Sequence, residues 1–105
     1  VATAFGDSIS VARLIGMMVK KYPNIMEATT YGYYEGVPNT NREASSWPFL
    51  LASKTGFTDV AGGNLATVFS PSPEEKIAIV VLGSTKEGRF ENVLELLKRY
   101  IENVK

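Results

Sequence analysis

Lys54 and Thr55 stand next to each other in the stretch Ser-Lys-Thr-Gly-Phe, residues 53–57. An ammonium and a hydroxyl side by side supply a positive charge and a short donor. Gly56 follows at once, and its missing side chain lets another backbone or a ligand come close. The backbone N–H groups after Gly56 add further donors. Such a set suits a ligand carboxylate and an oxygen that becomes negative during a reaction. The bare tripeptide also reads as ordinary residues at a strand end, with Gly56 permitting a close turn. A phosphate cradle fits less well. It needs Gly-x-x-x-x-Gly-Lys-Ser/Thr, with the lysine after the glycine turn. Here the glycine follows Lys-Thr, and no glycine lies between Gly36 and Gly56.

The rest of the composition narrows the chemistry. The 105 residues contain no cysteine and no histidine. Disulfides and thiolate metal sites are excluded, and the usual general base is missing. Acid–base work falls to Lys, Tyr, Asp or Glu, and neither metal nor cofactor is expected. Basic and acidic residues number 11 each, so the formal net charge is zero. No dense basic run marks a nucleic-acid footprint. Apolar residues make up 45%, enough for one packed domain or a piece of a larger one. The longest apolar run, Ile77 to Leu82, is too short to cross a bilayer. No signal peptide is visible, and the start at Val1, without Met, fits a processed or truncated N-terminus.

These residues need elements to hold them. Residues 8–22 predict a helix whose buried face is Val11, Leu14, Ile15 and Met18, spaced i, i+3, i+4, i+7. Asp7 or Ser8 is its cap, Lys20 and Lys21 suit its C-terminal end, and Pro23 stops it. Residues 29–41 predict a short irregular hairpin turning near Gly36. Pro48 sits at the start or edge of an extended segment leading through residues 50–56. A Gly62-Gly63 turn then joins it to a strand over 64–69, with Leu65, Thr67 and Phe69 on one face and Ala66 and Val68 on the other. Residues 70–76 read as a loop. The unbroken run 77–84 predicts a strand buried on both faces, hence central in its sheet. A closing helix over 91–104 carries the stripe Phe90, Val93, Leu94, Leu97, Ile101 and Val104. The expected class is α+β, an antiparallel sheet with three strands in this chain, covered by helices.

With these flanks, residues 53–65 resemble the Lys-Thr-Gly block of the low-molecular-weight penicillin-binding proteins, the serine D-alanyl-D-alanine carboxypeptidases. Residues 55–69 are similar to the family's strand pair, and residues 77–97 to the next strand, the Gly-Arg turn and the closing helix. Residues 8–23 resemble the family helix that ends in Tyr-Pro. Asn39-Thr40-Asn41 matches a recurring Asn-x-Asn before the Lys-Thr-Gly strand. The resemblance runs in order over nearly the whole chain. It implies a β-lactamase/transpeptidase-like fold. It also implies that Lys54 keeps the site electropositive and shares the proton network around a nucleophile. Thr55 would bond the carboxylate of a terminal D-alanine, and Gly56 would let the substrate backbone lie against the strand. The N–H of Phe57 would be one oxyanion-hole donor. Arg89 reads either as an arginine near the substrate carboxylate or as a solvated charge before a helix. Thr58 and Asp59 shape the turn, and Asn39 and Asn41 fix loops.

The family's nucleophile is the serine of Ser-x-x-Lys, and its second motif is Ser-x-Asn. Neither occurs here. Tyr22-Pro23-Asn24 has the form of a Tyr-x-Asn variant but falls at a helix end, and is read as coincidence. In family order both motifs precede residue 1. Residues 1–105 are thus expected to be the C-terminal portion of the catalytic domain. Without the serine the chain is expected to be inactive alone. It should expose apolar surface where the missing part packs, and associate with that part or with a second copy. The complete protein is expected to be an extracytoplasmic carboxypeptidase acting on D-Ala-D-Ala peptidoglycan peptides and acylated by β-lactams. The alternative is a non-catalytic module that keeps the carboxylate-binding strand and recognises such peptides or a protein partner.

Overall fold

The computed structural model describes residues 8–41 and 43–104; Asp7, one of the two expected caps, lies outside them. Helix α1 spans Ser8–Lys21 and carries Lys20 and Lys21 in its last turn, where the helix dipole favours cations. Tyr22 leaves the helical region at φ −130°, and Pro23 opens a second, five-residue helix, α2 (Pro23–Glu27). Proline is tolerated there because a first-turn N–H has no intrahelical partner. It therefore ends one helix and starts another. After a 3₁₀ turn at Ala28–Thr30, strands β1 (Tyr33–Tyr34) and β2 (Val37–Pro38) form the expected hairpin. Its turn takes positive φ at both central residues, Glu35 (51°) and Gly36 (82°), which matches the twist of the flanking strands.

Three longer strands follow: β3 (Leu50–Thr58), β4 (Gly62–Ser72) and β5 (Glu75–Ser84). They form an antiparallel sheet in the order β3-β4-β5. Helix α3 (Gly88–Val104) closes the described chain. Both long helices pack on β4 and β5. The strict alternation of β4 sends them to opposite faces. Leu65 and Phe69 join Phe90, Val93 and Leu97 of α3, together with Trp47 and Ile79. Ala66 and Val68 join Ile15 and Val19 of α1, together with Met26 and Ala52. The buried Thr67 hydroxyl donates to the Ile79 carbonyl at 2.7 Å, so its polar atom is satisfied inside the core. The α+β architecture, its three antiparallel strands and the two-faced β4 agree with the expectation.

Four expectations change. The central strand is β4, not β5: among the described residues β5 pairs with β4 alone. Nor is its apolar run buried on both faces: Ile79 is buried, Ile77, Val80 and Val81 are half-buried, and Ala78 and Leu82 are exposed. The β3–β4 turn is residues 59–61, and Gly62 and Gly63 belong to β4. Gly62 takes the left-handed φ of 75° that restarts the strand, while Gly63 lies against the chain at Thr85, where a Cβ would sit 2.3 Å from the carbonyl oxygen. The expected loop over 70–76 shrinks to the tight turn Pro73-Glu74, with Ser72 paired to Glu75. Finally, the inward stripe of α1 is Val11, Ile15 and Val19. Leu14 and Met18 are 55% and 38% exposed. The helix is apolar around more than one face, so its period could not say which face meets this sheet. The α3 stripe holds from Phe90 through Ile101; the Val104 side chain lies outside the described set.

Candidate functional site

Because β3 is an edge, one side of the Lys-Thr-Gly backbone has no strand neighbour among the described residues. The strand is tied down just before the triplet. Ser53, buried, donates its N–H to the Thr29 hydroxyl oxygen (2.9 Å) and its own hydroxyl to the Thr29 carbonyl (3.0 Å). Alternation then separates the next two side chains. Lys54 lies opposite Ala66 and shares the α1 face, whereas Thr55 lies opposite Leu65 and shares the α3 face. The Lys54 Nζ donates to the Thr55 carbonyl at 2.5 Å. Phe57 is two residues further on and presents its backbone in the same sense as Thr55; it pairs with Gly63. Around Gly56 there is room, since a Cβ there would meet only the Asn64 side chain, at 4.0 Å. The glycine leaves the strand open on its own chain's side.

Arg89 is not a solvated charge. It is the second residue of α3 and only 5% exposed. Its guanidinium lies over the Phe90 ring, 4.8 Å from the centroid. One of its terminal nitrogens, Nη1, donates to the Gly56 carbonyl (3.0 Å) and to the Asn64 carbonyl (3.4 Å), so it bridges β3 and β4. Its Nε is buried without a hydrogen-bond partner. A guanidinium has five N–H donors and no acceptor. The two carbonyls use only part of that capacity. The N-terminus of α3, with Thr85 accepting from the Gly88 N–H at 2.8 Å, adds its positive dipole end nearby.

These groups line a cleft of about 770 Å³ between the loop before β3 and the start of α3. Thr40, Glu43, Lys54, Thr55, Gly56, Lys86, Glu87 and Arg89 all contribute. A second cleft of about 720 Å³ lies on the α1 face, and Lys54, Thr55 and Gly56 line it too, with Ser10 and Leu14. The triplet is the ridge between the two. Asn39 and Asn41 hold the loop, as expected. Asn39 donates to the Thr29 and Tyr31 carbonyls (2.7 and 2.9 Å), and Asn41 accepts from the Glu43 N–H at 3.1 Å. Thr58 accepts from the Ala61 N–H at 2.9 Å and shapes the turn. Thr40, Glu43, Lys86 and Glu87 were not singled out in the sequence. Nothing local marks them, because they reach the cleft from segments far apart in the chain. Among the described residues no helix is long and apolar enough to cross a membrane.

No family model and no curated protein matches the chain. Solved structures do. The fold is similar to that of penicillin-binding protein D2 from Listeria monocytogenes in its ampicillin-bound form, with a TM-score of 0.73 and 25% identity, over 81% of this chain and 37% of that one. The cefotaxime-bound form gives a TM-score of 0.71 and 26% identity, over 81% and 36%. The chain thus spans just over a third of the length of these neighbours. It has the architecture of the C-terminal part of a penicillin-binding-protein-like domain.

Proposed function

We propose that this chain forms one wall of a serine acyl-transfer site, in a protein that removes the terminal D-alanine from peptidoglycan stem peptides. The observation that carries the reading is the open edge at Lys54-Thr55-Gly56, backed by the buried Arg89 guanidinium at the Gly56 carbonyl. In this reading a substrate strand lies along β3. The Thr55 hydroxyl and the Arg89 cation bind its carboxylate. The Phe57 N–H stabilises the oxyanion that forms when a serine oxygen adds to the carbonyl carbon of the D-Ala–D-Ala bond. That bond breaks, the departing amine takes a proton, and D-alanine leaves. Water then hydrolyses the acyl ester and regenerates the serine. Lys54 keeps the proton network around the nucleophile electropositive. β-Lactams would acylate the same serine, as the ampicillin- and cefotaxime-bound neighbours suggest by analogy.

The serine is not in this chain. Its partner in the site would be the remainder of the domain, and the outer face of α1 is the surface offered to it. Ile9, Leu14 and Met17 are 63%, 55% and 60% exposed there, and Leu14 shares a cleft with Lys54. The substrate would place the protein outside the cytoplasmic membrane, which cell fractionation checks; recovery with cytoplasmic proteins alone would contradict it. The main test is covalent labelling with a fluorescent penicillin. The complete protein should label and this chain alone should not. Lys54→Ala in the complete protein should slow labelling by about 100-fold or more. A complete protein that stays unlabelled while still binding D-Ala-terminated peptides would be the non-catalytic module instead.

A further inference from the structure

The side-chain oxygens of Thr40 and Thr55 are 2.6 Å apart, although the residues are 15 positions apart in the chain. Each hydroxyl has one proton. Only one of the two protons can lie in the shared bond. If Thr55 donates to Thr40, its proton is spent, and it offers the cleft only lone pairs. If Thr40 donates to Thr55, the Thr55 proton stays free for a ligand. Either hydroxyl can be the donor across this 2.6 Å contact.

The position of Thr40 is imposed from both sides. Asn39 is anchored through its N–H to the Gly32 carbonyl (2.9 Å) and through its side chain to two further carbonyls. Its Oδ1 also accepts the Asn41 N–H at 2.9 Å, closing a turn around Thr40. Asn41 is 1% exposed and accepts from the Glu43 N–H at 3.1 Å. Thr55 is 8% exposed and lines the cleft, so the shared bond and the cleft are what its hydroxyl meets. An exposed loop residue is thereby held against the hydroxyl that faces the cleft.

We propose that Thr40 is a positioning residue: it donates to Thr55, turns the Thr55 hydroxyl into a donor toward the cleft, and so makes the site select a ligand carboxylate over its neutral ester. A carboxylate only accepts, and a bond to it is charge-assisted, roughly twice as strong as a neutral one. The donor chain Thr40–Thr55–carboxylate polarises in one direction and strengthens each member. This inference rests on the acyl-transfer reading of the same cleft.

The test uses the complete protein, with ampicillin and its methyl ester as paired probes and the acyl adduct followed by intact mass. The readout is the ratio of the two acylation rate constants. In Thr40→Val the acid-to-ester ratio should fall by about tenfold. Thr40→Ser should keep it within about twofold, and Thr40→Val with Thr55→Val should be no worse than Thr55→Val alone. A residue that merely shapes the loop would slow both probes alike. An unchanged ratio in Thr40→Val, or an equal loss in Thr40→Ser, overturns the proposal. If Thr40→Val loses its far-UV circular dichroism, Thr40→Ala carries the same comparison. If neither probe acylates the wild-type complete protein, the acyl-transfer reading fails and this inference fails with it. If the wild type labels and the ratio does not move, only this inference is lost.

Discussion

The two faces of the sheet are packed by different kinds of residue. On the α3 face Trp47, Phe69 and Phe90 form an aromatic cluster, with ring centroids 6.1 Å apart for Trp47–Phe69 and 6.3 Å for Trp47–Phe90. Phe69 and Val93 are fully buried. On the α1 face the strands offer Ala52, Ala66 and Val68, and α1 reaches them with Ile15 and Val19. The same helix leaves Ile9, Leu14 and Met17 in solvent. Small strand residues let a helix approach closely, but they bury little area. The α3 layer is a finished core. The α1 layer is apolar on both of its sides: Ile15 and Val19 meet the sheet, and Ile9, Leu14 and Met17 face outward.

Four substitutions test that contrast, in falling order of effect. Phe69→Ala on the finished face should cost about 3–5 kcal/mol, through lost transfer energy and the cavity left behind. Urea unfolding would measure it, and a loss below 1 kcal/mol would mean the α3 face is not the main core. Gly63→Ala should cost about 1–3 kcal/mol, because the new Cβ meets the Thr85 backbone and not a flexible side chain. Replacing Leu14 and Met17 together by Gln should change the chain's stability by no more than about 0.5 kcal/mol per site. It should nonetheless weaken its association with the serine-bearing part or with itself, as seen by sedimentation. A large stability loss without a change in association would put Leu14 and Met17 inside this chain's own core.

The smallest effect is a pH dependence on the finished face. Tyr100 of α3 donates its hydroxyl to Glu75 at 2.5 Å, and Ser72 donates to the other oxygen of Glu75 at 3.2 Å. The hydrogen bond to Glu75, aided by desolvation and by the Glu75 charge, raises the Tyr100 pKa above its ordinary value of 10.0. Folding therefore favours the protonated phenol. The contribution is fully present below pH 10 and is lost as the pH rises through the raised folded value, because the unfolded chain releases the proton first. Stability measured from pH 9 to 11 should fall more steeply in the wild type than in Tyr100→Phe.

Much of this was legible from residue order alone. The alternation Leu65, Thr67, Phe69 against Ala66, Val68 sorted the strand's side chains onto two faces, and the packing then assigned α3 to the first and α1 to the second. The stripe from Phe90 to Ile101 fixed the inward face of α3. Lys54, Thr55 and Gly56 were found on a strand next to a cleft. What failed has a common cause. The α1 periodicity could not choose between faces because the helix is apolar on two of them. The β5 run was read as buried on both faces, whereas this edge strand buries Ile79 and leaves Ala78 and Leu82 exposed. The Gly62-Gly63 pair was read as the turn, whereas Gly62 supplies a left-handed residue after it and Gly63 supplies a gap for Thr85. The Arg89 bond to Gly56 spans 33 positions and the Thr40–Thr55 contact 15. Neither leaves a local trace.

The Arg89 bridge has a mechanical consequence. One guanidinium holds the carbonyls of an edge strand and of its neighbour, and that guanidinium is carried by the first turn of α3. An edge strand alone would breathe, since one flank has no strand partner among the described residues. Here its stiffness is borrowed from the helix that anchors the aromatic core. A cleft wall at the rim of the molecule is thereby sprung from its most rigid layer, and a small tilt of α3 would be delivered to Gly56 as a shift in the height of the ledge on which a ligand rests.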